Sequence, residues 1–299
     1  ERKYHTFSHI VSMLESITFY SEELIVALLF HDIVYNPFSS SNEADSVAFF
    51  KSLCSNVSPS FVKSVESTIM ATAELPENAG KNEKEIYRVD RIILYSDSLT
   101  ELLDWENKIF KEYQLNRVSL YRKGRADFLQ QAYNETKNEK LLLLKEIVEN
   151  KRYKIGFYPG SFNPFHIGHY NILVKAEKVF DKVIIGIGKN FDKMKNEKYT
   201  LPKVLQSREV IEYNGIITTV IEELSHEGEI FIVRGLRNEY DLQYEENLRN
   251  SIKDFLPDQN FTYFFCDKEF EHISSSLIRD IKSRNDKNSD KFLKKYCLE

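Results

Sequence analysis

Cysteine is scarce in this 299-residue chain: Cys54, Cys266 and Cys297 stand too far apart for a disulfide framework or a zinc motif. That usage fits a reducing, cytosolic setting. Long hydrophobic runs are missing too. The longest, Leu24 to Phe30, falls far below the roughly 20 residues of a membrane span, so no membrane partner is expected. No secretory pattern opens the chain, and it begins at Glu1 rather than Met, which leaves room for residues upstream. Strong charge bias is absent, and a formal net charge of −5 argues against a nucleic-acid partner. Internal repeats and low-complexity tracts are also absent. What is present, 42% hydrophobic and 29% charged residues, supplies a core and excludes disorder. The length suits two domains of about 150 residues each.

The two halves are built differently. Residues 1–150 carry 17 Lys+Arg against 23 Asp+Glu, and of ten glycines only Gly80 and Gly124 precede residue 151. The first half reads as helices, with Ile10-Val11, Met13-Leu14 and Ile17, then Leu24-Ile25 and Leu28-Leu29, then Phe61-Val62, Val65 and Ile69 at helical spacing. Leu141 to Val148 continue a helix that fades into Glu149-Asn150-Lys151-Arg152, where the domain boundary is placed. Beyond it, Lys154–Tyr158, Val183–Ile187, Ile216–Ile221, Ile230–Val233 and Phe261–Cys266 are short apolar runs that read as strands, with helical patterns between them. That alternation predicts a parallel α/β sheet with ligands at the strand carboxyl ends.

The sharpest chemistry lies in Tyr158-Pro159-Gly160-Ser161-Phe162-Asn163-Pro164-Phe165-His166-Ile167-Gly168-His169. A glycine turn opening a helix presents free N–H groups to phosphate. Two histidines three apart can donate where charge accumulates during transfer. The segment resembles the HxGH motif of the nucleotidyltransferase superfamily. Arg234-Gly235-Leu236-Arg237, with Asp241-Leu242-Gln243-Tyr244-Glu245 after it, resembles the second motif of phosphopantetheine adenylyltransferases. His272-Ile273-Ser274-Ser275-Ser276-Leu277-Ile278-Arg279 resembles the serine-rich segment that closes over ATP phosphates in those enzymes.

The resemblance implies a Rossmann-like adenylyltransferase in which an acceptor oxygen attacks the α-phosphorus of ATP and pyrophosphate leaves with Mg²⁺. It implies that Gly160, Ser161, Phe162, His169, Gly235, Arg237, Glu245, Ser274, Ser275 and Ser276 bind ATP. His166, His169, Lys193 and Arg237 are the expected catalytic set, and Ser161, Lys193 and Arg234 the expected contacts to a phosphorylated acceptor. Two departures bear on that acceptor. The full His166-x-x-His169 form is commoner among nicotinamide-mononucleotide and cytidylyl enzymes, and Ser251-Ile252 stand where the pantetheine family has Met-Asn. Ile252 is therefore expected to disfavour phosphopantetheine, with nicotinamide or nicotinate mononucleotide as the alternative acceptor.

The first half has its own constellation. His9, the pair His31-Asp32 and the distant Asp90 follow the H…HD…D order of HD-domain phosphohydrolases. Tyr4-His5, Phe30-His31-Asp32-x-Val34-Tyr35, Asn42-Glu43 and Ala71-Thr72 resemble a family of metal-dependent members. Imidazole and carboxylate ligands together suit one divalent transition metal, Zn, Mn, Fe or Ni, with His9, His31, Asp32 and Asp90 as its ligands. After Ala71-Thr72 these relatives carry another His, and here Ala73-Glu74-Leu75-Pro76 follows, which points to a single-metal site. The expectation is thus a multidomain protein: an all-α HD domain (1–150) followed by an α/β adenylyltransferase domain (151–299). The HD half either hydrolyses a phosphate ester or nucleotide or serves as a regulatory module. Self-association stays open.

Overall fold

The computed structural model describes residues 2–188, 202–284 and 287–298. The chain forms two compact units. One comprises Glu1–Tyr113 with Arg122–Asn150, the other Gln114–Tyr121 with Lys151–Glu299. The helical unit is built from α1 (Phe7–Ser16), α2 (Glu22–Phe30), α3 (Asn42–Ser52), α4 (Pro59–Met70), α5 (Lys81–Asp90), α6 (Leu99–Glu112), most of α7 (Val118–Thr136, its residues up to Tyr121 counting with the other unit) and α8 (Glu139–Asn150). Its starts are written locally. Ser21, Ser58 and Ser98 each accept a backbone N–H of the first turn, the ordinary N-cap device. Met13, Leu24, Ala27, Leu28, Val65 and Ile69 are almost fully buried in one cluster. These include helical positions singled out by spacing, and α2, the longest apolar run, lies at the centre of that core.

The second unit carries five parallel strands in the order β3-β2-β1-β4-β5: β1 (Lys154–Gly160), β2 (Lys182–Gly188), β3 (Val210–Tyr213), β4 (Glu229–Leu236) and β5 (Asn260–Phe265). Helices α9 (Ile167–Glu177), α10 (Ile217–Leu224), α11 (Glu239–Lys253), α12 (Ser275–Arg284) and α13 (Lys287–Tyr296) complete it. One expected strand is wrong. Residues 216–221 belong to helix α10 and its N-cap, because Thr218, Val220, Ile221 and Leu224 share one buried face while Glu222 and Glu223 stay outside. Gly215, at φ +96°, makes the turn into it, a conformation glycine adopts at little cost. The fifth strand is instead the four-residue edge β3, half-buried and without clear alternation.

Lys182, with a side chain 1% exposed, opens β2 with an ammonium that burial pulls below its usual pKa. Glu209 lies 2.6 Å away, and Lys182 Nζ also donates to the carbonyls of Gln114 and Asn116. A buried ammonium needs such partners, and they account for segment Gln114–Tyr121 belonging to this unit. Among the described residues no helix is long and apolar enough to cross a membrane.

Candidate functional site

At the carboxyl end of β1 the chain turns through Gly160 and Phe162 into α9. A side chain at Gly160 would meet the Phe162 ring at 2.7 Å, so that position needs glycine. Phe162 itself takes φ +44°, an uncommon backbone for a large residue. Its burial holds it there, with the ring edge-on to Tyr158 and to His169, centroids 5.0 Å away in both cases.

His166 caps α9. Its Nδ1 accepts the Gly168 N–H at 3.2 Å, and His169 Nδ1 accepts the His166 N–H at 3.3 Å. The two rings stack with centroids 3.6 Å apart. A nitrogen that accepts a backbone N–H carries no proton, so each neutral ring keeps its proton on Nε2. Burial first, and Arg237 after it, hold His166 down to about 4, and burial first, with His166 and Arg237 beside it, puts His169 well below the ordinary histidine value. Both are neutral Nε2–H donors at neutral pH.

Between 6.5, where an unfolded imidazole titrates, and about 4, the folded state binds fewer protons than the unfolded chain. Stability is then full above 6.5 and lost as pH falls through that window, by up to about 1.4 kcal/mol per pH unit for His166 alone. Urea unfolding across the window should show a shallower loss in His166→Gln, whereas parallel curves would refute the argument.

Both histidines line a cavity of about 330 Å³, with Gly160, Phe162, Arg234, Gly235, Arg237, Glu245, Ser274 and Ser275 also in its wall. Most of the sequence-derived ATP residues are thus brought together. Ser161 and Ser276 are exposed and lie outside that wall, Ile252 is buried away from it, and Lys193 falls outside the described residues. Ile252 is not among the residues of that wall.

The arginines are already held. Arg234 grips Glu245 through two hydrogen bonds of 2.7 and 2.6 Å and donates to the Pro159 carbonyl. Arg237 is fixed by Asp241, which accepts from its backbone N–H, Nε and Nη2, each at 2.9 Å. Forked pairing fixes the plane of each guanidinium and leaves its outer N–H groups for a phosphate. Ser274 caps α12 by accepting the Leu277 N–H, and Ser275 Oγ donates to the Pro164 carbonyl. Arg279 donates to the Asn163 carbonyl. The serine-rich segment therefore braces the histidine turn. Asp241 and Arg279 had been read only as parts of motifs; their bracing roles needed the folded chain.

In the helical unit, His9, His31 and Asp32 offer ligand atoms all within 4.8 Å of one another. Asp90 Oδ1 lies 3.2 Å from His9 Nε2 and 3.8 Å from His31 Nε2. All four residues expected from the H…HD…D order converge. His31 Nδ1 is engaged by the Leu28 carbonyl, and its buried Nε2 faces Asp32 Oδ2 at 3.0 Å without making a well-formed hydrogen bond. Against the opposing effect of burial, Asp32 and then Asp90 raise His31 to about 9, and His31 brings Asp32 down to about 2. Two imidazoles and two carboxylates around an unsatisfied buried nitrogen fit a divalent transition metal. Its second nitrogen bound to a backbone carbonyl, as in His31, is the usual support of a ligating histidine.

A family model described as cytidylyltransferase-like matches residues 157–281. The phosphopantetheine adenylyltransferase of Mycoplasma capricolum subsp. capricolum is 37% identical over 137 residues, covering 43% of this chain and 96% of that protein. The enzyme of the same name from Cytophaga hutchinsonii is 35% identical over 43% of this chain and 89% of its own length. That of Leuconostoc mesenteroides subsp. mesenteroides is 34% identical over 48% and 92%. Over this C-terminal part of its length, the chain belongs to the phosphopantetheine adenylyltransferase family of cytidylyltransferase-like proteins.

Proposed function

We propose that the C-terminal unit transfers AMP from ATP to the phosphate of an acceptor, and that phosphopantetheine, the substrate in its relatives' name, is that acceptor. The observation that carries this is the pair of backbone-tied, neutral imidazoles in the cavity wall beside two braced arginines. The acceptor phosphate oxygen attacks the α-phosphorus, the bond to the bridging oxygen breaks, and pyrophosphate departs. His166 and His169 donate from Nε2 to phosphoryl oxygens whose charge grows in the transition state. Arg237, fixed by Asp241, holds the β/γ end together with the α12 N-terminus, and Arg234, fixed by Glu245, meets the acceptor. Arg234 and Arg237 are each balanced by a carboxylate, so the triphosphate arrives with Mg²⁺ to offset its charge. Lys193 remains the proposed contact to the transferring phosphate.

Incubating the full chain with ATP, Mg²⁺ and one acceptor at a time, and measuring pyrophosphate, tests this. Turnover of phosphopantetheine at roughly 10⁴ M⁻¹s⁻¹ or more is expected. Turnover of nicotinate or nicotinamide mononucleotide in its place would transfer the acceptor assignment to the alternative.

A second reading concerns the helical unit. We infer a metal-dependent phosphohydrolase of the HD type from the convergence of His9, His31, Asp32 and Asp90. These residues would hold one Zn, Mn, Fe or Ni ion, which when bound supplies Lewis acidity toward water and phosphate oxygens. A regulatory module that binds the ion without turnover is the alternative, separated by assaying phosphate release on the metal-loaded chain.

A further inference from the structure

We propose that Glu112 is a positioning residue that orients His5 to hold the attacking water of the helical unit's phosphoester site; this rests on the metal-hydrolase reading above. Glu112 ends α6, 107 residues from His5 in sequence, and only 2% of its side chain is exposed. A carboxylate so deeply buried requires donors, and it has an unusual number. Oε1 accepts the backbone N–H groups of Lys3, Tyr4 and His5 at 2.6, 2.7 and 3.0 Å, and Oε2 meets His5 Nδ1 at 2.6 Å. Burial by itself would raise the Glu112 pKa, but His5 and the amides outweigh it and bring the group to about 2.

An ionised carboxylate only accepts, so the His5 nitrogen facing it is Nδ1–H, and a neutral ring keeps its lone pair on Nε2. His5 Nε2 has no partner among the described residues. The ring stacks on Tyr35 with centroids 4.0 Å apart and stands edge-on to the His9 ring at 6.0 Å. Carboxylate, stack and backbone together leave the imidazole one orientation, the arrangement by which a buried acid sets a histidine's tautomer. The Glu112–His5 pair also ties together the two segments that bring metal ligands: residues 3–5, held by Glu112, run into α1 with His9, and Tyr35, stacked on His5, follows His31 and Asp32. The lone pair on Nε2 can accept a hydrogen bond from a water poised beside the cluster.

Three measurements on the full chain test the proposal. In the metal-free protein labelled with ¹⁵N-histidine, His5, assigned by its loss in His5→Ala, should show a protonated Nδ1 and a bare Nε2. That signature should disappear in Glu112→Gln. With Mn²⁺ and p-nitrophenyl phosphate, His5→Ala and Glu112→Gln should each lower kcat by roughly 10–100-fold, with KM and bound metal near wild type. The double variant should be no worse than the weaker single, as expected of two residues acting as one unit, and Glu112→Asp should recover part of the loss. Multiplying losses, a bare Nδ1 in the wild type, or wild-type kcat in His5→Ala would each overturn the proposal. Should Glu112→Gln fail to fold, the wild-type spectrum and His5→Ala still decide it. A wild-type chain that binds no metal and hydrolyses nothing overturns the metal-hydrolase reading and this proposal together. One that turns over while His5→Ala matches it overturns the proposal alone.

Discussion

Replacing His169 with alanine is expected to lower kcat for adenylyl transfer by roughly 10²–10³-fold, the scale for losing one preorganised transition-state donor. ATP affinity should change little, because the braced Arg237 and the α12 N-terminus remain. The size of the effect follows from burial. His169 is held neutral, packs edge-on against Phe162, and has its Nδ1 committed to the His166 N–H. Its Nε2–H is therefore aimed before substrate arrives, and water does not replace it at the same position. Pyrophosphate release under saturating ATP and acceptor measures kcat, and calorimetric titration with ATP measures binding. A variant with wild-type kcat would remove His169 from the chemistry. Weakened ATP binding with kcat unchanged would make it a ground-state binding group instead.

Asp32→Ala should abolish metal retention by the helical unit. Changes to groups that merely support a ligand weaken metal sites about 10–100-fold, so removing a ligand should cost at least about 100-fold. The substitution also leaves His31 Nε2, buried and 3.0 Å from the lost carboxylate, with Asp90 as the carboxylate nearest it among the described residues, at 3.8 Å. Elemental analysis after dialysis should find about one equivalent of a transition metal in the wild type and almost none in the variant. A wild-type chain loaded with Zn²⁺ or Mn²⁺ that retains neither would sink the metal assignment. Full retention by Asp32→Ala would mean that His9, His31 and Asp90 suffice.

The adenylyltransferase half was legible in the linear chain because its chemistry is local. Gly160, Phe162, His166 and His169 fall within ten consecutive residues, on one strand end, one turn and the first turn of a helix. The central strands were legible for a related reason: β1 and β2 are buried on both faces and read as unbroken apolar runs, and β4 carries the apolar run Ile230–Val233. The edge strand β3 was not, since three half-buried residues and an exposed Glu212 carry no two-sided pattern, and the apolar stretch after Gly215 satisfied a helical face equally well.

In the helical half the H…HD…D order named four residues that do converge. Glu112, 107 residues from the imidazole it holds, left no mark in that order. The same limit applies to charge. Arg234 and Arg237 read as free cations awaiting phosphate, and folding gave each a carboxylate, Glu245 and Asp241. Lys182 stands just ahead of the expected strand Val183–Ile187, and folding drew Gln114, Asn116 and Glu209 around its ammonium. Backbone geometry couples residues within a few positions, so spacing reveals motifs, caps and strand cores. A charge withdrawn from water must instead be met by whatever group the folded chain brings within about 3 Å, and sequence separation says nothing about which group that is.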